Sequence, residues 1–100
     1  MYSGALDGVR VVEWGNMITG PFCGKVLGEL GAGVIKVEPP ASGDDSRHRG
    51  PFPDHIPDPE RSGLFLFANL NKRGVTLDPG TASGRGILGR LLESADVFLV

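Results

Sequence analysis

Residues 9–38 read VRVVEWGNMITGPFCGKVLGELGAGVIKVE, and this stretch decides the fold. An apolar run at 9–13 leads into a glycine-flanked loop at 15–20. Apolar residues then recur at helical spacing within 21–30, and a second apolar run follows at 34–37. A strand, a loop, a helix and a strand within about thirty residues predict a right-handed βαβ unit. Such units bind ligands at the carboxyl ends of their strands, so the loop is the first candidate for a site.

Proline and glycine mark the limits of the predicted helix. Pro21 suits the first helical position, and Gly31 suits the left-handed residue that follows the end of a helix. Gly24 and Gly28 are four residues apart and therefore share a stripe without side chains. We expect this stripe to permit the close approach of another backbone.

A long irregular segment separates this unit from the rest of the chain. Residues 38–62 contain six of the eight prolines, together with four aspartates and both histidines. This composition predicts a long loop, and loops of such length are usually functional or mobile. The apolar stretch at 64–68 fits either a helical turn or a strand, because its periodicity does not distinguish the two.

The remaining elements predict a sheet of at least four strands. A third strand is expected at 75–77, followed by a helix with Asp78 as N-cap and Pro79 as first residue that continues to about Glu93. Residues 97–100 open a fourth strand. This alternation predicts an α/β fold, a Rossmann-like parallel sheet with flanking helices. Because the chain stops within an apolar run, we expect it to be the front part of a longer protein.

Composition narrows the class of protein. One hundred residues with 40% hydrophobic and 22% charged side chains are typical of one small globular domain. The net charge of −2 and scattered basic residues argue against a nucleic-acid partner. No apolar run is long enough for a membrane span, and no signal peptide is recognisable, so we expect a cytoplasmic protein. Cys23 is the only cysteine, and we interpret it as a structural residue of the helix rather than a nucleophile.

A dinucleotide-binding loop is the obvious alternative for residues 15–20. Gly15, Met17 and Gly20 occupy the three positions of G-x-G-x-x-G, and Glu38 lies where an acid would bind ribose hydroxyls. The middle glycine allows the backbone to approach a pyrophosphate, whereas Met17 places a bulky side chain there. A Walker phosphate loop is also disfavoured, because Gly20 is not followed by Lys-Ser/Thr. We therefore predict neither a nicotinamide nor a flavin cofactor.

The irregular segment also contains possible metal ligands. His48 and His55 lie near Asp44, Asp45 and Asp54 in the sequence. Their spacing matches no recognised ligand pattern, so we predict no metal site.

Several phrases, taken together and in order, resemble the amino-terminal part of the family III CoA-transferases of the CaiB/BaiF type. They are LDGVRVVE at 6–13, GP at 20–21, LGAGVIKVEP at 30–39, GD at 43–44 followed by Arg47, NLNKR at 69–73, TLD at 76–78 and ADV at 95–97. This family also contains formyl-CoA transferase, carnitine-type CoA-transferases and the α-methylacyl-CoA racemases.

The resemblance implies that residues 1–100 are the amino-terminal part of a Rossmann-like CoA-binding domain. It implies acyl-CoA and a carboxylic acid as substrates, no prosthetic group, and an intact enzyme that forms an interlocked homodimer. Catalysis in the transferases uses an aspartate nucleophile, which forms a mixed anhydride and then a CoA thioester. No residue of this chain matches that aspartate, so we expect it beyond residue 100 and expect the chain alone to be inactive.

The resemblance also implies positions that contact CoA. Ile18 and Thr19, with Met17 beside them, correspond to the loop that contacts CoA. Pro39 stands where many members have an arginine near the adenine. The adenine-side wall corresponds to Leu77, Asp78, Pro79 and Gly80, and Gly80 replaces a lysine found in some members.

Four charged residues are open to two interpretations each. Lys72 and Arg73 could contact CoA phosphates, or they could pair with Glu38 or Asp78 to brace strand ends. Glu38 and Asp44 are predicted to brace the long loop rather than contact substrate.

Two alternatives to a transferase stay open. One is an α-methylacyl-CoA racemase, which shares the CoA fold but transfers a proton. The other is a nucleotide-binding or assembly module without catalytic activity.

Overall fold

A computed structural model describes residues 4–100 and shows four strands and three α-helices. The elements in chain order are β1 Arg10–Glu13, α1 Thr19–Glu29, β2 Gly33–Glu38, α2 Gly63–Ala68, β3 Lys72–Thr76, α3 Ala82–Glu93 and β4 Val97–Leu99. Two short 3₁₀ turns, Asp45–His48 and Pro53–His55, interrupt the long segment between β2 and β3.

The four strands form one parallel sheet in the order β3-β2-β1-β4. Val11 of β1 pairs with Val34 of β2 on one side and with Val97 of β4 on the other. The predicted α/β fold with a parallel sheet is therefore confirmed. The direction in which strands are added reverses at β1, which makes the carboxyl ends of β1 and β4 a topological switch point, the usual ligand crevice of such sheets.

Helices cover both faces of the sheet. Val11 and Val34 pack with Leu27 of α1 on one face. Val12 and Val37 pack with Leu88 of α3 on the other. Because successive strand residues point to opposite faces, the pair Val11-Val12 supplies both cores at once.

The predicted elements are present, with shifted ends. Helix α1 begins at Thr19, so Pro21 occupies the third helical position, where a missing amide hydrogen is still tolerated. Gly31 has the expected positive φ, 108°. The ambiguous stretch at 64–68 belongs to helix α2, capped by the Ser62 hydroxyl, which accepts a hydrogen bond from the Phe65 amide.

The predicted start of α3 is wrong by three residues. Thr81 is the N-cap, and its hydroxyl accepts a hydrogen bond from the Gly84 amide at 3.0 Å. Asp78 instead closes a turn, since its Oδ1 accepts a hydrogen bond from the Gly80 amide at 2.8 Å. Strand β3 correspondingly lies earlier than predicted.

Candidate functional site

The loops that follow β1, β2 and β3 all lie at the carboxyl edge of the sheet. Met17, Ile18 and Thr19 follow β1, Pro39 follows β2, and residues 77–80 follow β3. Because the strands are parallel, the topology brings these predicted site residues to one edge. The arrangement can hold an elongated ligand across several loops.

The β1–α1 loop presents its side chains to solvent at the switch point. Ile18 is 53% exposed, and Thr19 is also exposed. Met17 has a φ of 65°, a left-handed conformation that is uncommon for residues other than glycine. Its amide donates a hydrogen bond to Asp44 Oδ1 at 3.0 Å. The loop is therefore fastened to the long segment that follows β2.

A second tie joins the same two segments at the surface. The Asn16 side-chain amide donates to Asp45 Oδ2 at 2.7 Å, and the Asp45 backbone amide donates to Asn16 Oδ1 at 2.8 Å. The long segment is thus shaped against the loop after β1 rather than extending into solvent.

Glu38, the last residue of β2, is saturated by internal donors. The Arg47 guanidinium donates from Nε to Oε2 at 2.7 Å and from Nη2 to Oε1 at 2.8 Å. The Asp44 amide also donates to Oε2 at 2.8 Å. These contacts, the Arg47 hydrogen bonds above all, hold the pKa of Glu38 below its ordinary value. Glu38 therefore braces the long segment, as predicted. In a dinucleotide site its carboxylate oxygens would have to accept hydrogen bonds from ribose hydroxyls, but here both oxygens already accept hydrogen bonds from Arg47, and Oε2 also accepts one from the Asp44 amide.

A buried group of charges lies on the α1 face of the sheet, beneath the loops. The Lys36 ammonium lies 2.9 Å from Glu13 Oε2 and 2.8 Å from Asp44 Oδ2, and the Lys72 ammonium lies 2.6 Å from Glu13 Oε1. All four side chains are at most 2% exposed. We call Glu13, Lys36, Asp44 and Lys72 the buried charge cluster. Its alternating signs allow charged groups to lie inside the protein, where each needs a close partner.

Opposing effects set the pKa values within the buried charge cluster. Burial would raise the pKa of Asp44, but hydrogen bonds from Lys36, Ser46 and Met17 outweigh it and the pKa is lowered. Burial lowers the pKa of Lys72, against the opposing effect of Glu13. At neutral pH, Asp44 is therefore an anion that accepts hydrogen bonds.

A lysine that binds a phosphate group would lie at the surface, whereas the Lys72 side chain is buried. Its ammonium donates to the Pro21 carbonyl at 2.8 Å and to Asn69 Oδ1 at 2.7 Å, besides pairing with Glu13. The alternative partners predicted for it, Glu38 and Asp78, are replaced by Glu13. Arg73 is exposed and lies near the amino end of β3, away from the loops of the carboxyl edge.

Pro39 lines an open cavity of about 240 Å³ at the carboxyl ends of β2 and β3. The walls of the cavity also include Ser42, Gly43, Thr76 and Glu60. Pro39 and Thr76 follow or end neighbouring strands, which is why they meet here. A flat ring could lie against the proline at this place.

Residues 77–80 contribute in different ways. The Leu77 side chain is 5% exposed and packs in the core with Val12 and Val37, so only its backbone can face a ligand. Asp78 and Gly80 are exposed and Pro79 is half-buried. Of the four residues predicted to form the adenine-side wall, only those of the 78–80 turn are therefore exposed or half-buried.

Sequence reasoning missed the contacts of Glu13 and Lys36. Glu13 ends the run VVE at 11–13, and Lys36 lies within the run VIKV at 34–37. The sheet buries both runs. A charge inside a run predicted to be buried on both faces was the available signal, because such a charge requires a partner.

Within residues 4–100 there is no group of three or more histidine, cysteine, aspartate or glutamate side chains able to hold a metal ion. His48 lies 3.2 Å from the Ser42 carbonyl through Nε2. Over the same described range, no helix is both long and apolar enough to cross a membrane.

Comparison with known proteins gives consistent matches over almost the whole chain. Residues 6–100 match the family profile described as CoA-transferase family III. The chain is 38% identical over 96 residues to a succinate–glutarate CoA-transferase of Agrobacterium fabrum, covering 94% of this chain and 24% of that protein. It is 43% identical over 95 residues to a formyl-CoA:oxalate CoA-transferase of Rhodopseudomonas palustris, covering 95% and 21%.

Solved structures agree with these sequence matches. A CAIB/BAIF family protein from Brucella suis superposes with a TM-score of 0.84 at 39% identity, covering 97% of this chain and 25% of that one. The protein Rv3272 from Mycobacterium tuberculosis gives a TM-score of 0.81 at 36% identity, covering 96% and 25%. The chain thus spans about a quarter of the length of the relatives it matches.

Proposed function

The chain belongs to CoA-transferase family III, and from that premise we propose that it is the CoA-binding amino-terminal segment of an acyl-CoA:carboxylate CoA-transferase. The observation that carries the proposal is the β1–α1 loop, which is anchored at the switch point and leaves Ile18 and Thr19 exposed. Two curated relatives that match along this whole segment are CoA-transferases by name.

Recognition of CoA would use the carboxyl edge of the sheet. Met17, Ile18 and Thr19 would form one rim, and Pro39 would lie against the adenine in the cavity that it lines. The 78–80 turn would close the opposite side. Lys72 is left out of this set, because its ammonium is buried and already bonded to three acceptors. The anionic phosphates would then be matched by groups elsewhere in the intact enzyme.

The chemistry of the proposed enzyme needs a carboxylate nucleophile that we place beyond residue 100. Its attack on the acyl-CoA carbonyl expels the CoA thiolate and leaves a mixed anhydride on the enzyme. The thiolate then attacks the anhydride at the carbonyl carbon that comes from the enzyme's carboxylate. This attack releases the first acid and leaves CoA joined to the enzyme as a thioester. The chain described here would hold CoA during these steps. We also propose that the intact enzyme is a homodimer.

The proposal is tested on the intact protein with substrates of the two named relatives. Formyl-CoA or succinyl-CoA is incubated with oxalate, glutarate and a panel of other carboxylic acids, and new CoA thioesters are identified by mass spectrometry. Transfer of CoA to at least one acid is expected. Absence of transfer across the panel, in a protein that is folded, would contradict the transferase assignment.

The same preparation separates the two alternatives. Exchange of the α-hydrogen of a 2-methylacyl-CoA with deuterated water, without CoA transfer, would identify a racemase. Binding of CoA without either reaction would identify a module without catalytic activity.

A surface variant tests the role of the β1–α1 loop. Ile18→Asp places a negative charge on the proposed rim of the CoA site, where it would repel the anionic ligand, and should weaken CoA affinity by about tenfold, equal to about 1.4 kcal/mol. Ile87→Asp is the matched control, because Ile87 is also exposed, at 44%, but lies on α3 at the other face of the sheet. Equal affinities of the two variants would place CoA elsewhere.

A further inference from the structure

Asp44 connects the candidate CoA loop to the interior of the protein, although it lies 27 residues away in sequence. Its Oδ1 accepts hydrogen bonds from the Met17 amide at 3.0 Å and from the Ser46 amide at 2.8 Å. Its Oδ2 lies 2.8 Å from the Lys36 ammonium. We propose that Asp44 is a positioning residue, which fixes the β1–α1 loop in the shape that receives CoA; this inference rests on the proposed function.

The loop needs such an anchor because it lacks one of its own. Helix α1 has Ile18 at its N-cap, and no side chain caps the first turn. Met17, just before it, is held in the left-handed region, which a side chain with a Cβ disfavours. The hydrogen bond to Asp44 compensates this local cost, so the loop conformation depends on a residue outside the loop.

Asp44 is itself rigidly placed. The Lys36 ammonium that pairs with it is also bonded to Glu13 Oε2 at 2.9 Å and contacts the Gly15 carbonyl at 3.4 Å. The Asp44 amide donates to Glu38, which the Arg47 guanidinium holds in turn. A buried carboxylate that accepts two backbone hydrogen bonds and pairs with an ammonium is a stiffer anchor than an exposed one, because displacing it would lose several strong contacts at once.

The neighbouring Asp45 makes a weaker second tie. Its carboxylate binds the Asn16 side chain at the exposed surface, where water competes for both groups. Its backbone amide binds Asn16 independently of its side chain. Asp44 is therefore the residue whose loss should release the loop.

The test compares Asp44→Ala and Asp44→Asn with wild type in the intact protein. Hydrogen exchange measured by mass spectrometry follows the peptide that contains Met17, and calorimetry gives the affinity for CoA. Asp44→Ala removes the acceptor and should lose the slow exchange of this peptide. Its CoA affinity should fall about tenfold, the factor expected for one charge-assisted hydrogen bond. Asp44→Asn keeps an acceptor oxygen for the Met17 amide but loses the ion pair with Lys36, so its loop protection and CoA affinity should lie between those of Asp44→Ala and wild type.

Asp58→Ala is the control, because Asp58 lies on the same long segment and accepts only from its own turn, at the Glu60 amide. It should change neither readout. The inference is overturned if Asp44→Ala binds CoA within about twofold of wild type, or if its affinity falls while loop exchange stays slow. If Asp44→Ala does not fold, wild-type loop exchange and wild-type CoA affinity in a folded Asp44→Asn protein overturn it equally.

The exchange measurement keeps this inference separate from the proposed function. Failure of the wild-type protein to bind CoA would refute the proposed function alone. Faster loop exchange in Asp44→Ala would then still support Asp44 as the anchor of the loop, and unchanged exchange would refute that role.

Discussion

Gly24 and Gly28 lie on the same stripe of α1, but the structure predicts opposite effects for their replacement by alanine. A Cβ at Gly24 would overlap the Glu13 carboxylate and lie 3.3 Å from Lys72 Cε. A Cβ at Gly28 would meet the Asn71 carbonyl and a Val34 methyl group at 3.6 Å, which is ordinary van der Waals contact. Both substitutions add the same methyl group to α1. Their effects therefore differ only through the atoms that each methyl group contacts.

The size of the Gly24→Ala effect follows from the role of Glu13. Its side chain is fully buried and bonded to both Lys36 and Lys72, so a displaced carboxylate disturbs two ion pairs. Breaking a buried ion pair typically costs about 3–5 kcal/mol. Alanine in place of glycine returns about 1 kcal/mol of helix propensity. The free energy of unfolding should therefore fall by about 2–4 kcal/mol.

Gly28→Ala should instead stabilise the chain by about 0.4–1 kcal/mol, since it removes backbone freedom from the unfolded state without a clash. Urea unfolding followed by far-ultraviolet circular dichroism measures both variants. The Gly24→Ala midpoint should drop by at least about 1 M if the slope is near 2 kcal/mol/M. A Gly24→Ala protein as stable as wild type would refute the role of the buried charge cluster, and a comparable loss in Gly28→Ala would refute its localisation.

Two further predictions concern the long segment after β2. Glu38 and Asp44 have pKa values lowered by folding, so their stabilisation is present above the ordinary values of 4.5 and 3.8 and is lost as the pH falls through the lowered values. Urea midpoints should fall from about pH 5 downward, and less steeply in Glu38→Gln; equal slopes would contradict this. Ser62→Ala should destabilise the protein by about 1–3 kcal/mol, because the buried hydroxyl caps α2 and donates a hydrogen bond to the Ser46 carbonyl. Ser42 is exposed, so Ser42→Ala should leave the stability unchanged. Thermal unfolding compares the two variants, and similar losses would argue against the cap.

Local patterns predicted the sheet and its order of elements well. The apolar runs at 9–13 and 34–37, with helical spacing between them, are short-range signals, and the structure reproduces them. The N-cap of α3 was misplaced because Asp78 and Thr81 are both good caps. The Asx turn from Asp78 to Gly80 decided between them, and it depends on the chain path after β3.

Long-range contacts account for what the sequence did not predict at the site. The sequence leaves open whether Lys72 contacts CoA phosphates or braces a strand end, and only the packing of α1 and β1 around it shows that its ammonium is internal. Gly24 was expected to let a backbone approach, whereas its neighbour is a carboxylate. The bond from Met17 to Asp44 joins residues 27 apart, and no periodicity or motif encodes such a pair.

The central place of β1 in the sheet has a consequence for the order of folding. β1 pairs with β2 across one helix, but it pairs with β4 only after more than eighty residues of chain have been made. Closing a short loop comes earlier and at lower entropic cost than closing a long one. We therefore expect β1, α1 and β2 to assemble first on the ribosome, with β4 joining last of the four strands described here. The loop after β1 would then acquire its anchor before β4 joins the sheet.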